Sequence, residues 1–451
     1  MFESKRPDDQ PPLWIATSEL PATPANDFYR RLDQALRSFG FGDTVRALSA
    51  PQYTADRGQG GRPGIDPEVY FKMLMIGFFE NLASERGIAT RCADSFAIRE
   101  FRHYGLTERT PDHTTLSVIR QRLAPEVYQQ VFALVLRALK KHKLLRGKTL
   151  TIDSSVLEAN ASLRSLEHRL TGTAYGEYVA QLAAAAGVDP KDPAAVRRFD
   201  RKRPGRKTSN RDWVNPHDPD AKVGPTKAGA TKMIYKPEHT VDLETGAIVD
   251  VEVQPGDHAD LTELATKVCD LQDRLNTAVG IEPEQTTIEV LVADKGYYHV
   301  EELLSLQEAG IRTAISDPLE HRRLDRLSPP KRAAVRRAAQ ARQAPAIRAL
   351  ARRRGELGER SFTHVLDRGG GRRTTLRGRA NIRKRYLIQA ACANLSLLMR
   401  TLWKVGTPKQ ALAGVPHLRE VLDRWLRPWG IAFGRPTMPW GRLIGSVAVA
   451  A

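Results

Sequence analysis

The chain reads as an α/β protein: a mixed sheet flanked by helices, preceded by an all-α N-terminal domain. Three observations carry this. Residues 27–145 show helix punctuation and apolar helical runs. Two later runs, Lys148-Thr-Leu-Thr-Ile-Asp-Ser-Ser155 and Thr287-Ile-Glu-Val-Leu-Val-Ala-Asp294, are strand-like and each delivers an aspartate to its end. Around them the signals run strand, hairpin, helix, strand, helix, strand, the order of a mixed sheet with flanking helices. The boundaries implied are a helical domain at 1–145, a core at 146–404 with a loop-rich insertion at about 159–230, and a tail at 405–451.

In chain order, Pro-rich Leu20-Pro-Ala-Thr-Pro-Ala25 leads into an amphipathic stretch from Asp27 to Phe39, and Arg57-Gly-Gln-Gly-Gly-Arg-Pro-Gly64 reads as a loop. Asp66-Pro67 signals a helix start, and the apolar run Tyr70 to Phe79 reads as a core helix. Arg86 to Tyr104 continues as helix with Arg91, Arg99, Arg102 and His103 interspersed. Pro111-Asp-His-Thr-Thr-Leu-Ser117 then gives a turn, a capping hydroxyl and a helix carrying Arg120 and Arg122. Exposed arginines on a helix after a short turn can enter a DNA major groove; equally, any surface helix carries charges.

Beyond the Asp153 strand, a short helix near Tyr175 to Ala186 interrupts a basic, Gly/Pro-marked region read as an insertion or long loop, mobile without a partner. Lys232 to Asp242 and Ala247 to Gln254, joined through Glu244-Thr-Gly246, form a hairpin. Helical spacing follows over Asp260–Asn276 and His299–Ala309, with a strand at Ile311–Ser316. Ala333 to Arg354 is Ala/Arg-rich and helical, and Leu387 to Trp403 is an apolar helix packed on the sheet. The tail, with Trp425, Trp429 and Trp440, has no clear pattern.

Composition narrows the partners. A net charge of +18 and a pI of about 9.9 favour polyanions, nucleic acid before an anionic membrane, unless they only mark an Arg-rich coding bias. Cys92, Cys269 and Cys392 form no zinc or disulfide pattern and fit a reducing compartment. With neither a signal-peptide h-region nor a transmembrane-length run, the expectation is a soluble, cytoplasmic protein with no membrane partner.

Carboxylates at strand ends, joined by one on a helix, are what two-metal phosphoryl chemistry needs; hard cations take oxygen ligands, and water and phosphate complete their shells. Asp153 and Asp294 are the strand-borne candidates. Between His321 and Arg385 the only acids are Asp325, Glu356, Glu359 and Asp367. Glu356 and Glu359, three apart, share nearly one helix face, and either supplies the third carboxylate or both pair with neighbouring arginines. Other readings stay paired. Asp257, His258 and Asp260 are metal ligands or caps of the next helix. His239 is a ligand or a hydrogen-bonded sheet residue. Tyr297 and Tyr298 stack on bases or pack in the core, and Lys295 sits where it can meet a phosphate. Gly369-Gly-Gly371 is a loop, with no strand-to-helix turn to make it a phosphate cradle.

Asp153-Ser-Ser-Val-Leu-Glu-Ala-Asn-Ala-Ser162, Tyr235-Lys236 before His239 and Asp242, Ala293-Asp-Lys-Gly-Tyr-Tyr298, and Glu359-Arg-Ser-Phe-Thr-His364 with Arg377-Gly and Asn381 resemble bacterial insertion-sequence transposases of the DDE type. The segment around Pro111-Asp-His-Thr-Thr-Leu-Ser resembles their N-terminal domain, and the likeness runs from about Pro12 to Leu402. The resemblance implies a ribonuclease H-like core and cleavage and strand transfer of double-stranded DNA, at the element's terminal repeats and in target DNA. It also implies two Mg²⁺ or Mn²⁺ ions held by Asp153, Asp294 and Glu359, a dimer or higher assembly on DNA, and a bacterial, nucleoid-associated location. The basic residues familiar around the family's glutamate are not cleanly present. Lys295, Arg352, Arg354, Arg360, Arg377 and Lys384 are the DNA-binding candidates. Two alternatives remain: a metal-dependent nuclease without strand transfer, and an inactive DNA-binding relic.

Overall fold

The computed structural model describes residues 24–54, 64–204, 209–226, 229–258, 263–278, 280, 288–317, 324–367, 369 and 371–412. Of the stretch Arg57–Gly64 read as a loop all but Gly64 lies outside them, as do Asp260, Gly370 and the tryptophan-bearing tail from 413. Among the described residues no helix is long and apolar enough to cross a membrane.

Seven helices come first: α1 (Pro24–Ser38), α2 (Phe41–Thr54), α3 (Pro67–Phe79), α4 (Glu85–Asp94), α5 (Phe96–Phe101), α6 (His113–Arg122) and α7 (Pro125–Lys141). α3 starts as its sequence dictates: the Asp66 carboxylate accepts the Glu68 N–H at 2.8 Å and Pro67 takes the first turn, where its missing N–H costs nothing. α3 is buried from Tyr70 to Phe79, and Lys72 goes in with it. Its ammonium donates to Asp33 at 2.7 Å and lies 2.8 Å from the Glu68 carboxylate and 2.9 Å from His103 Nε2.

Two expectations change here. The predicted helix from Arg86 to Tyr104 is two helices, because Ser95 is extended and its hydroxyl caps α5 through the Ile98 N–H. The arginines read as available to a groove turn inward. Arg99 donates to the carbonyls of Ala93, Gly105, Leu106 and Glu108, Arg102 to those of Cys92 and Ile98. Arg120 is paired with Glu85, and Arg122 lies over the Tyr53 ring. A guanidinium has five donors, so it can close loops by binding backbone oxygens.

The remaining elements are β1 (Thr149–Ser154), β2 (Leu157–Glu158), β3 (Glu167–His168), α8 (Tyr175–Ala185), α9 (Pro193–Lys202), β4 (Trp213–Val214), β5 (Lys222–Pro225), β6 (Thr231–Asp242) and β7 (Ile248–Pro255). Then come α10 (Leu264–Ala278), β8 (Val290–Ala293), α11 (Val300–Glu308), β9 (Arg312–Ile315), α12 (Pro329–Gln343), α13 (Pro345–Phe362), α14 (Arg379–Trp403) and α15 (Pro408–Leu412). β7 pairs antiparallel with β6, β6 antiparallel with β1, β1 parallel with β8, and β8 parallel with β9. An antiparallel hairpin on one side of β1 and a parallel pair on the other is the ribonuclease H-like sheet the resemblance implies. β2 and β5 extend it along the far half of β6.

The insertion between β1 and β6 is folded rather than a long loop. Trp213 takes edge-on contacts from Tyr175, Tyr178 and His168 at ring separations of 5.0, 5.3 and 5.3 Å. The first half of the basic, Gly/Pro-marked run Arg197–Lys207 belongs to a helix, Pro193–Lys202, capped by Asp192, whose carboxylate accepts the Ala194 N–H. Its arginines masked an ordinary Asp-Pro start. Asp218 ties the insertion to the core, accepting the Tyr235 hydroxyl at 2.6 Å and the Gly378 N–H at 3.1 Å.

Two helices also differ from the reading. The predicted helix over Ala333–Arg354 breaks at Ala344, because Pro345 cannot sit inside a helix and instead opens α13. α14 begins at Arg379, before the apolar run, and is buried over most of its length. Asn394 of α14 accepts the Ile248 N–H and donates to its carbonyl, fixing the start of β7.

Asp242 sets the start of β1. It is fully buried, and its carboxylate accepts the N–H groups of Arg146, Gly147 and Glu244 at 2.7, 3.1 and 2.8 Å. Replacing it with Ala strands three backbone donors, each costing about 1–3 kcal/mol if buried. Asp242→Ala is expected to lose roughly 3 kcal/mol in urea titration, and Asp242→Asn less, because an amide oxygen still accepts.

Candidate active site

β1 and β8 run parallel in register, Ile152 opposite Ala293, so Asp153 and Asp294 leave the same edge of the sheet one residue further on. Parallel neighbours lie about 5 Å apart, which fixes how far apart the two backbones emerge. Each carboxylate is oriented by the chain that follows it: Asp153 Oδ1 accepts the Ser154 N–H at 2.8 Å, and Asp294 Oδ1 accepts the Lys295 N–H at 2.5 Å as it caps a 3-10 turn. Both offer hard oxygen donors at strand ends, Asp294 exposed and Asp153 half-buried.

α13 crosses this edge. A Cβ on Gly358 would meet Asp153 Oδ2 at 3.6 Å, and Arg354, one turn earlier, brings its guanidinium to 3.9 Å from the same oxygen. At about 100° per residue, Glu359 lies about 100° round the helix from Gly358, and Glu356 about 160°. The flank with Leu357, Arg360 and Ser361 lines a cavity with Thr245 and Gly246, at the end of the sheet where β1 begins. Glu359 is exposed on the other flank, toward the strand ends. Its carboxylate has no hydrogen-bond or ion-pair partner among the described residues, whereas Glu356 is paired with Arg360. The carboxylates of Asp153, Asp294 and Glu359 do not gather within 4.8 Å of one another; among the described residues only Asp33, Glu68 and His103 form such a group, and the Lys72 ammonium already fills it.

His239 holds α13 in this phase. It sits opposite Asp153 in the β1–β6 ladder. Its ring stacks on Phe362 at 4.0 Å and 14°, with Nδ1 2.8 Å from Ser361 Oγ and Nε2 2.8 Å from the Tyr386 hydroxyl. The Ser361 hydroxyl donates to the Gly358 carbonyl, so Nδ1 must carry the proton and Nε2 accepts from Tyr386. Burial pushes the imidazole pKa down to about 3, so the ring stays neutral. Of the two readings of His239, hydrogen-bonded sheet residue and ligand, the contacts match the first.

The other candidates scatter. Lys295 is exposed beside Asp294, and Arg352 is exposed on α13. Arg354 faces Asp153, Arg360 is engaged by Glu356, and exposed Arg377 donates to the Asn160 carbonyl at 3.2 Å. Lys384 is a correction: only 6% exposed, it donates to the Arg120 carbonyl at 2.8 Å and lies over the Tyr128 ring, so it joins helices and cannot reach a DNA backbone. Tyr297 is buried with its hydroxyl on Glu238, and Tyr298 bonds Asp317, both core-facing rather than base-stacking. Sequence reading missed the role of His239; its one signal was its place in the motif with Tyr235 and Asp242.

Two family models match the chain: a transposase domain (DUF772) over residues 19–122 and a transposase DDE domain over residues 204–395. The second spans Asp294 and Glu359 but begins after Asp153. No curated protein and no solved structure matches the chain.

His239 makes stability pH-dependent in a known sense. The unfolded ring gains a proton below about 6.5 and the folded ring only near 3, so stability falls as pH drops through that window, by up to about 1.4 kcal/mol per pH unit. Asp250, whose carboxyl burial raises to about 6, acts oppositely: the folded state holds that proton longer, and stability rises as pH falls through 6. Urea midpoints of the wild type and His239→Gln between pH 7.5 and 4.5 isolate the first effect; the variant is expected to lack that part of the slope.

Proposed function

The chain is an insertion-sequence transposase of the DDE type, and from that premise we propose that Asp153, Asp294 and Glu359 carry divalent-metal-dependent cleavage of DNA at element ends and strand transfer into target DNA. The observation that carries this reading is the parallel register of β1 and β8, which brings two carboxylates to one end of the sheet beside a helix bearing an unpaired third.

The donor set suits Mg²⁺ or Mn²⁺: carboxylate oxygens only, two of them preset by backbone N–H groups, with open solvent in front for water and phosphate. Bound there, two such ions would activate an attacking oxygen and stabilise the leaving one. The protein's own part is to orient. Asp153 and Asp294 hold fixed positions on the sheet. Glu359, on the far side of the cleft, reaches in from a helix whose phase His239 sets. Arg354 places a positive charge beside Asp153, where a scissile phosphate would lie. In the first step water attacks the phosphodiester and the strand leaves as a 3′-hydroxyl; in the second that hydroxyl displaces a target strand in line, with no covalent protein intermediate.

Pairing two ends requires at least a dimer on DNA. The helical part at 1–145 contributes recognition of the terminal sequence, by surfaces other than Arg99, Arg102 and Arg120. A nuclease without strand transfer uses the same centre and differs only in lacking joined products.

The test is strand transfer by purified protein with Mg²⁺ and labelled DNA carrying the sequences that flank its gene. Asp153→Asn, Asp294→Asn and Glu359→Gln are each expected to lower joining at least a hundredfold, and Glu356→Gln to change it less than threefold. Cleavage without joining favours the nuclease, and cleavage that survives Asp294→Asn defeats the proposed centre.

A further inference from the structure

Beyond Asp294 the sheet continues to β9, its edge strand, where Ala293 pairs with Ile315 and Ser316 follows. There a cavity of about 470 Å³ opens between the end of β9, α12 and α13. Ala314 and Ser316 line it from the strand, Arg342 from α12, and Arg348 and Arg352 from α13; among the described residues no carboxylate lines it. All three arginines are exposed, and none has a hydrogen-bond or ion-pair partner among the described residues. The acid closest to it in sequence, Asp317, takes the Tyr298 hydroxyl at 3.2 Å. Three unpaired guanidiniums around one hollow repel each other unless an anion joins them.

The phase of α13 connects this hollow to the acids. Arg348, Arg352 and Glu359 are spaced by four and seven residues, which places them within about 40° of one another on a single flank. At about 1.5 Å per residue, Arg352 lies roughly 10 Å and Arg348 roughly 16 Å along the helix from Glu359. Phosphates of one DNA strand advance about 3.4 Å each along the duplex axis, so these spans match about three and five nucleotides.

We propose that the cleft of Arg342, Arg348, Arg352 and Ser316 binds the phosphodiester backbone of a DNA strand three to five nucleotides from the position at the acids. The inference rests on the reading of Asp153, Asp294 and Glu359 as the reacting centre. The strand belongs to the element end or to the target, and the chemistry is the same for both.

The experiment uses the full chain with a labelled duplex bearing the sequences that flank its gene, titrated across salt concentrations, and a plasmid target for joining of pre-cut ends. The triple variant Arg342→Gln, Arg348→Gln, Arg352→Gln is expected to bind the end duplex with a log–log salt slope shallower by about three, roughly one per lost contact, and Arg→Lys variants to recover most of it. Methylphosphonates at nucleotides three to five from the cut should weaken wild-type binding and leave the triple variant nearly unaffected. That pattern assigns the cleft to the element end. Unchanged end binding with joining to plasmid lost, in the triple variant but not the Arg→Lys one, assigns it to the target. A triple variant that matches the wild type in both measurements, while the wild type cuts and joins, overturns the cleft and leaves the acid centre standing. A wild type that binds with the expected arginine-dependent slope but never cuts defeats the acid centre instead. Melting temperatures within about 2 °C of wild type show that the variants fold.

Discussion

The arrangement depends on one buried imidazole remaining neutral. His239 meets three elements at once: it is strand-paired with Asp153, bonded to Ser361 and stacked on Phe362 of α13, and bonded to Tyr386 of α14. A charge there would be costly, since desolvating an ion without a counter-charge costs several kcal/mol. Nothing opposite in charge is bonded to the ring; its partners are hydroxyls and an aromatic face. The neutral ring therefore acts as a two-ended spacer of fixed length, one nitrogen donating and the other accepting. The rotation of α13 follows from it, because Ser361 and Phe362 can both meet the ring in only one helix phase. That phase puts Gly358 over Asp153 and leaves Glu359 exposed.

One small residue matters beside the acids. Gly358 lets α13 approach Asp153 closely, and a methyl there would just touch the carboxylate. Glu356 is drawn away by Arg360 on the solvent side. The positive groups close to the acids are few: Arg354 directly, Lys295 by sequence. The larger positive surface lies further along α13.

How much of this could be read from the sequence follows from the range of each interaction. The strands ending in Asp153 and Asp294 were legible, because alternation and apolar runs are local signals. That the two strands lie side by side in parallel was not local, and came only through the family resemblance. Glu359 against Glu356 stayed open because a spacing of three places both on nearly one face; that Glu356 pairs with Arg360, and that His239 from 120 residues earlier packs on α13, are features of the fold that no spacing announces. The buried arginines misled for a related reason. Arg99 and Arg102 look like surface charges until the main-chain carbonyls they bind are folded around them. Lys384 misled likewise, in a basic run whose members Arg383, Lys384 and Arg385 all bind groups of the protein itself. In the insertion, arginines at 197, 198 and 201 hid a helix that Asp192-Pro193 announces plainly.

α14 joins the sheet to the amino-terminal helices through four consecutive residues. Tyr386 holds His239, while Arg383 reaches Gln129 and Glu252. Lys384 and Arg385 grasp main-chain oxygens, those of Arg120, Ala83 and Leu82. A grip on the main chain is indifferent to the side chains that chain carries. The amino-terminal helices can thus diverge in what they display to the outside while remaining seated on the same sheet, so that change on their outer faces leaves the carboxylate-bearing strand ends where they are.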